Sequence, residues 1–135
     1  MKYNISKVAI LGAGVMGSSI AAHFAGAGFR VLLMDMIPKV LTQEEESKGL
    51  SLNDKSIRNK LAETGKTNVL NPKSKAIYAK EFGDLIETGN FTDDMEKISG
   101  CDLIMEVIVE NLQLKRDLMV IIAKYRKKGT IVATN

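Results

Sequence analysis

Gly12, Gly14 and Gly17 stand at the spacing G-x-G-x-x-G within Gly12-Ala13-Gly14-Val15-Met16-Gly17, and a carboxylate, Asp35, follows 18 residues after the last of them. Each glycine has a separate task in a loop that must hold a diphosphate. Gly12 permits a tight turn out of a strand, Gly14 removes the side chain where the backbone approaches a pyrophosphate, and Gly17 lets a helix lie close on a sheet. A helix beginning at Val15 or Met16 aims its unpaired N–H groups and the positive end of its dipole at the same point, so backbone geometry, rather than Lys or Arg, holds the phosphates. Asp35 is placed to accept hydrogen bonds from both hydroxyls of an adenosine ribose, and its charge repels a 2′-phosphate. No Lys or Arg follows it until Lys39, beyond Met36, Ile37 and Pro38. The pattern reads as a dinucleotide site selective for NAD over NADP; the alternative is a tight turn that binds nothing.

Such a loop works only between a strand and a helix. Residues 7–35 (KVAILGAGVMGSSIAAHFAGAGFRVLLMD) supply that context: an apolar run, the loop, a small-residue helical stretch and a second apolar run that stops at Asp35. Regularity returns at Asp102. Residues 103–109 are nearly all apolar, as expected of a strand covered on both faces of a parallel sheet, and 111–126 follow with helical periodicity. Leu114, Leu118, Ile121, Ile122 and Tyr125 form the expected buried stripe of that helix. Gly129 stops it, and residues 130–134 (TIVAT) read as a further strand. The order strand, helix, strand, insertion, strand, helix, strand predicts an α/β fold of Rossmann type, a doubly wound, mostly parallel sheet with helices on both faces.

The middle region, about 36–90, is longer than the usual connection in paired α/β units and reads as an insertion with helices of its own. Residues 41–48 (LTQEEESK) form a charged surface stretch. Ser51 or Asn53 is placed to cap a helix running to about Thr64, and Gly65, Asn71 and Pro72 interrupt the pattern. A short helix is expected over 74–82, a strand over 85–91 and a brief helix from Asp93 and Asp94 through Ile98. Two roles fit the insertion equally: a substrate-side arm, or a solvated elaboration without a ligand.

Composition excludes several classes. The chain has 135 residues, 45% hydrophobic and 26% charged, enough for one packed domain. Its formal charge of +3 comes from interspersed residues, 19 basic against 16 acidic, so nucleic-acid binding is not indicated. No apolar stretch approaches the ~18 residues of a membrane span, and the opening MKYNISKVAI is not built as a signal peptide. Cys101 stands alone, which rules out an internal disulfide, and the whole points to the cytoplasm. Cys101 precedes an apolar strand without His or a second Cys nearby and reads as a small buried hydrophobe. Glu44, Glu45 and Glu46 lack the spacing of a metal site, so no metal is expected. Lys124, Arg126, Lys127 and Lys128 close a helix, where positive charge complements the dipole.

The glycine loop, together with CDLIMEVIVENLQLKRDL (101–118) and the closing IVATN (131–135), resembles the NAD-binding domain of the L-3-hydroxyacyl-CoA dehydrogenases. These enzymes of fatty-acid β-oxidation oxidise a 3-hydroxyacyl-CoA to the 3-oxoacyl-CoA. The segment LTQEEESKGLSLNDKSIRNKLAE (41–63) looks like the longer insertion of large bacterial members that also carry an enoyl-CoA hydratase region. The resemblance implies that the glycine loop takes the pyrophosphate and Asp35 the adenosine ribose. In the V-E-N-x-x-x-K segment it places Glu110 and Lys115 beside the nicotinamide half of NAD, with Lys115 also near the CoA substrate. Both follow the carboxyl end of a parallel strand, where ligands bind in open α/β sheets. On the residues alone, a capping or intrahelical pair explains them as well.

In the family, a catalytic His accepts the hydroxyl proton, and it lies beyond the A-T-N segment. His23, the sole histidine, falls within the glycine-loop helix and does not match it. The resemblance therefore implies a cofactor-binding fragment of a larger dehydrogenase, without a catalytic residue of its own and without the helical substrate and dimerisation domain. It also implies a homo-oligomeric full-length protein that acts on 3-hydroxyacyl-CoA. Two other readings stay open. One is a dehydrogenase of the 3-hydroxyacid or 6-phosphogluconate type, which usually selects NADP through a basic residue after the second strand. The other is a module that senses NAD or NADH without catalysis.

Overall fold

The computed structural model describes residues 4–71, 73 and 80–135. Five segments form strands, four of them rich in aliphatic residues and β3 (IETGN) mostly polar: β1 (Lys7–Leu11), β2 (Arg30–Asp35), β3 (Ile86–Asn90), β4 (Leu103–Glu106) and β5 (Ile131–Thr134). They pair in the order β3-β2-β1-β4-β5, and every pair is parallel. The chain thus winds outward from β1 to one edge, returns, and winds to the other, so β1 and β4 are neighbours at the point of reversal.

Helices cover both faces because the central strands are apolar on both. Val8, Ile10, Val31 and Leu33 face α1 (Val15–Gly26) and α4 (Lys60–Leu70). Ala9, Leu11, Leu32, Met34 and Ile104 face α5 (Leu112–Tyr125) and the 3₁₀ turn Met95–Gly100. The small residues Gly17, Ser18, Ala21, Ala22 and Ala25 make the buried side of α1, which lets that helix approach the sheet closely. Cys101 is fully buried in the second cluster, and burial pushes its thiol up to about 11. The reading of Cys101 as a core residue therefore holds. His23 is exposed in the last turn of α1, about 12 Å along the axis from the first turn.

The region after β2 is where expectation and structure part. Residues 41–48 are more than a charged surface. Thr42 and Glu45 form a reciprocal capping box that starts α2 (Gln43–Ser47), a T-x-x-E signal that was legible in the chain. The expected single helix to Thr64 is two: α3 (Lys55–Arg58), with Asp54 at its N-cap, and α4, which continues through Gly65. Gly65 is not an interruption but a contact point. A Cβ there would lie 2.3 Å from Ser18 Oγ and 2.7 Å from the Ala13 carbonyl oxygen, so glycine is what allows α4 to cross the start of α1. Glycine within a helix costs about 1 kcal/mol relative to alanine, and here close packing outweighs that propensity. Gly65→Ala is therefore expected to destabilise the fold by about 1–3 kcal/mol despite its better helix propensity, as chemical denaturation would show. Unchanged or raised stability would mean that α4 can move off α1 freely.

The stretch 36–90 thus contains the crossover from β2 to β3 as well as the added helices, and α4 is the helix that packs on α1 and the sheet. Its far end is locked at β3. The buried Asn90 donates to Asn59 Oδ1 at 2.7 Å and to Asp93 Oδ2 at 3.0 Å, while Arg58 grips Asp93 through Nε (2.6 Å) and Nη2 (2.8 Å). The Arg58 guanidinium holds the Asp93 carboxyl down at about 2. Most of the helix expected over 74–82 lies outside the described residues; a 3₁₀ helix spans Lys80–Leu85. The strand expected over 103–109 ends at Glu106: the Val107 N–H still donates to the Leu11 carbonyl at 2.8 Å, and residues 107–109 then line a cleft. The expected brief helix near Ile98 is the 3₁₀ turn Met95–Gly100.

Candidate dinucleotide-binding site

The reversal point between β1 and β4 is where an open α/β sheet forms a crevice at its carboxyl edge. Here β1 leads into Gly12, whose φ of +123° lies in the region that disfavours side chains. The peptide after β4 presses on it: a Cβ at Gly12 would stand 2.4 Å from the Val107 carbonyl oxygen. Gly17 is closed in a similar way, since its Cβ would meet the Gly12 carbonyl oxygen at 1.8 Å. Gly14 differs. Nothing lies within 4 Å of the place a Cβ would occupy, so no protein contact demands glycine there. Open space beside a backbone at the N-cap of α1 is what a bound group would need.

That N-cap has no side-chain hydrogen bond and no acidic residue in the first turn. The leading N–H groups of α1 therefore point outward with the positive helix end behind them. Val15, 90% exposed, and Met16 flank this spot without blocking it.

Asp35, at the end of β2, is tied to the same loop. Its Oδ2 accepts from the Ala13 N–H at 2.8 Å and its Oδ1 from the Met36 N–H at 2.7 Å. The carboxylate is thus held toward the glycine turn, with a lone pair on each oxygen still able to accept. Beyond it opens a cleft of about 300 Å³ whose walls are mostly apolar: Met36, Phe91, Val107, Ile108, Val109, Leu114 and Ile121. Leu114 and Ile121 were expected in the buried stripe of α5, of which Leu118 and Ile122 are buried. Leu114 is 39% exposed because it faces this cleft instead of the sheet.

Glu110 and Lys115 lie around the start of α5, which Asn111 caps by accepting from the Leu114 N–H at 3.1 Å. They do form a pair, with Lys115 Nζ donating to Glu110 Oε1 at 3.1 Å, but capping is not their whole setting. Lys115 also donates to the Asn135 carbonyl at 2.9 Å and lies 3.5 Å from Glu106 Oε1. The Asn135 side chain in turn reaches the Met16 sulfur. Lys115 therefore joins the ends of β4 and β5 beside the first turn of α1, next to the glycine loop. Its ammonium is pushed up from its ordinary value by Glu110 first and by Glu106 as well.

Glu106 was read as a member of an apolar strand and nothing in the composition singled it out. The structure places it fully buried at the carboxyl end of β4, with partners on three segments. The signal present in the sequence was one charge inside an otherwise apolar run, a position where an unpaired carboxylate would be strongly disfavoured. Among the described residues no group of His, Cys, Asp and Glu is arranged to hold a metal, and no helix is long and apolar enough to cross a membrane.

The chain is similar to known proteins in sequence and in fold. Residues 7–135 match the family model described as 3-hydroxyacyl-CoA dehydrogenase, NAD binding domain. A probable 3-hydroxyacyl-CoA dehydrogenase of Bacillus subtilis is 42% identical over the whole chain, which spans 17% of that protein. A 3-hydroxybutyryl-CoA dehydrogenase of Clostridioides difficile is 35% identical over 96% of the chain, spanning 40% of its own length. The crystal structure of 3-hydroxybutyryl-CoA dehydrogenase from Escherichia coli K12 superposes with a TM-score of 0.66 at 25% identity, over 98% of this chain and 25% of that one. The chain thus spans well under half of these proteins. With an all-parallel Rossmann-type sheet, a glycine loop under α1 and a family match over residues 7–135, the chain belongs to the NAD-binding domain family of the 3-hydroxyacyl-CoA dehydrogenases.

Proposed function

We propose that Gly12, Ala13, Gly14, Val15, Met16 and Gly17 hold the pyrophosphate of NAD, that Asp35 binds the adenosine ribose, and that Glu110 and Lys115 flank the nicotinamide half. The observation that carries this reading is the open cradle at Gly14, set between the bare N-terminus of α1 and the fixed Asp35 carboxylate. Backbone N–H groups meet the diphosphate, and Asp35 orients the ribose through the oxygens that already brace Ala13 and Met36. The apolar cleft beyond Asp35 suits a flat adenine ring. Met36, Ile37 and Pro38 present no cation to a 2′-phosphate, in keeping with NAD rather than NADP.

The whole protein is proposed to oxidise L-3-hydroxyacyl-CoA to 3-oxoacyl-CoA in the cytoplasm. Bound NAD supplies the hydride acceptor for that reaction. This chain's part is to hold and orient, since its one histidine stands on the last turn of α1, away from the loop. The family membership favours this substrate class over the hydroxyacid branch, and the groups gathered at Lys115 favour a dehydrogenase over a sensor that reads only adenosine. The test is an assay of the full-length protein with 3-hydroxybutyryl-CoA and either NAD or NADP, following the absorbance of the reduced cofactor. Turnover with NAD and little with NADP is the expected result. A protein that binds NADH yet oxidises no 3-hydroxyacyl-CoA of any chain length would point to the sensing role.

A further inference from the structure

The buried carboxylate of Glu106 has no part in the scheme above, yet it contacts the turn 107–109, the end of β5 and the first turn of α5. Its Oε2 accepts from the Ile108 N–H at 2.7 Å, fixing the turn 107–109 that lines the cleft and presses on Gly12. Its Oε1 accepts from the Thr134 hydroxyl at 2.9 Å and lies 3.5 Å from Lys115 Nζ. Its backbone carbonyl accepts from the Asn135 N–H at 3.1 Å. The side chain is 0% exposed, whereas Glu110, the other carboxylate on Lys115, is 88% exposed and solvent-screened. Of the two, Glu106 is the one that can set where the ammonium stands, because a long exposed carboxylate moves with the cation while a buried one held by two other donors does not.

We propose that Glu106 is the positioning residue for the nicotinamide side of the site, fixing Lys115 and the ends of β4 and β5 around the place that half of the cofactor occupies. This rests on the assignment of Lys115 to that half. A plain packing role would be an odd use of a carboxylate, since a buried ion pair is often no more stabilising than apolar side chains of the same volume. Glutamine at 106 is the informative replacement. It keeps an oxygen for the Ile108 N–H or the Thr134 hydroxyl and removes the charge that faces Lys115.

The test is made on the full-length protein, comparing dissociation constants for NADH and for ADP-ribose, which has the adenosine and diphosphate but no nicotinamide. In Glu106→Gln, NADH affinity should fall about tenfold, the scale of one charge-assisted contact, with ADP-ribose affinity within about twofold of wild type. The fluorescence of bound NADH should shift toward that of the free cofactor. In a Lys115→Met background the same change at 106 should have no further effect on the NADH to ADP-ribose ratio, because it acts through Lys115. Glu106→Asp, one methylene too short to reach all three segments, should behave like the glutamine variant. An unchanged ratio in either variant overturns the proposal, as does an equal loss for both ligands or failure of both variants to fold, each of which marks a structural role. If wild type binds ADP-ribose and NADH equally and the Lys115→Met change affects neither, the fault lies instead in the assignment of Lys115.

Discussion

Asp35→Ala is expected to weaken NAD binding by at least about two orders of magnitude. A carboxylate that accepts from two ribose hydroxyls makes charge-assisted hydrogen bonds of about 1.5–3 kcal/mol each, and every 1.4 kcal/mol is tenfold in affinity. The structure adds a second loss. Asp35 Oδ2 also accepts from the Ala13 N–H, so the substitution frees the glycine turn as well as the ribose. Discrimination should narrow from both directions, since removing the negative charge lifts the repulsion of a 2′-phosphate while NAD loses its anchor. Calorimetric titration of wild type and variant with NAD, NADH and NADP reads all three quantities. Affinity for NAD that stays within a few-fold of wild type would remove Asp35 from the site, leaving it only as a brace for Ala13 and Met36.

The three glycines should separate into two kinds when each is replaced by alanine. Gly12→Ala and Gly17→Ala are expected to cost about 2–4 kcal/mol of stability or to prevent folding, because their Cβ atoms would meet backbone oxygens at 2.4 Å and 1.8 Å. Gly12 carries the further strain of its φ of +123°. In neither case is the obstacle a side chain that can swing aside. Gly14→Ala should instead leave stability within about 1 kcal/mol of wild type, as its Cβ points into open space, and yet lower NAD affinity at least tenfold by occupying the place of the diphosphate. Thermal or chemical denaturation beside cofactor titration distinguishes the two kinds. Gly14→Ala with full affinity would mean that the diphosphate does not pass over that residue, and the loop would be explained by packing alone.

Much of this architecture was legible because the strongest signals are local. The apolar runs of β1 and β2, the glycine spacing between them and the carboxylate at the end of the second run are all consequences of one strand-helix-strand unit. The helix α5 was equally plain, since apolar residues recur at helical spacing over 111–126. Gly65 misled for a physical reason. Its demand comes from Ala13 and Ser18, far away in the chain, and a rule based on helix propensity sees only the missing side chain. Residues 36–90 looked like an insertion because the β2 to β3 crossover is interrupted by α2 and α3 before α4 completes it.

The sequence by itself thus determined the Rossmann-type order, the glycine loop between β1 and α1 and the acidic residue that ends β2, all set by spacing within short segments, while for Glu110 and Lys115 it left a ligand role and a mutual pair both open. Tertiary structure alone decided that Leu114 faces a cleft, that Val107 is what forbids a side chain at Gly12, and that Glu106 is a buried junction between β4, β5 and α5. Each of those facts depends on groups brought together by the pairing of parallel strands, whose partners are separated by long crossovers. The chemistry of a residue type is readable one position at a time, but which neighbour it meets is settled only when the sheet closes.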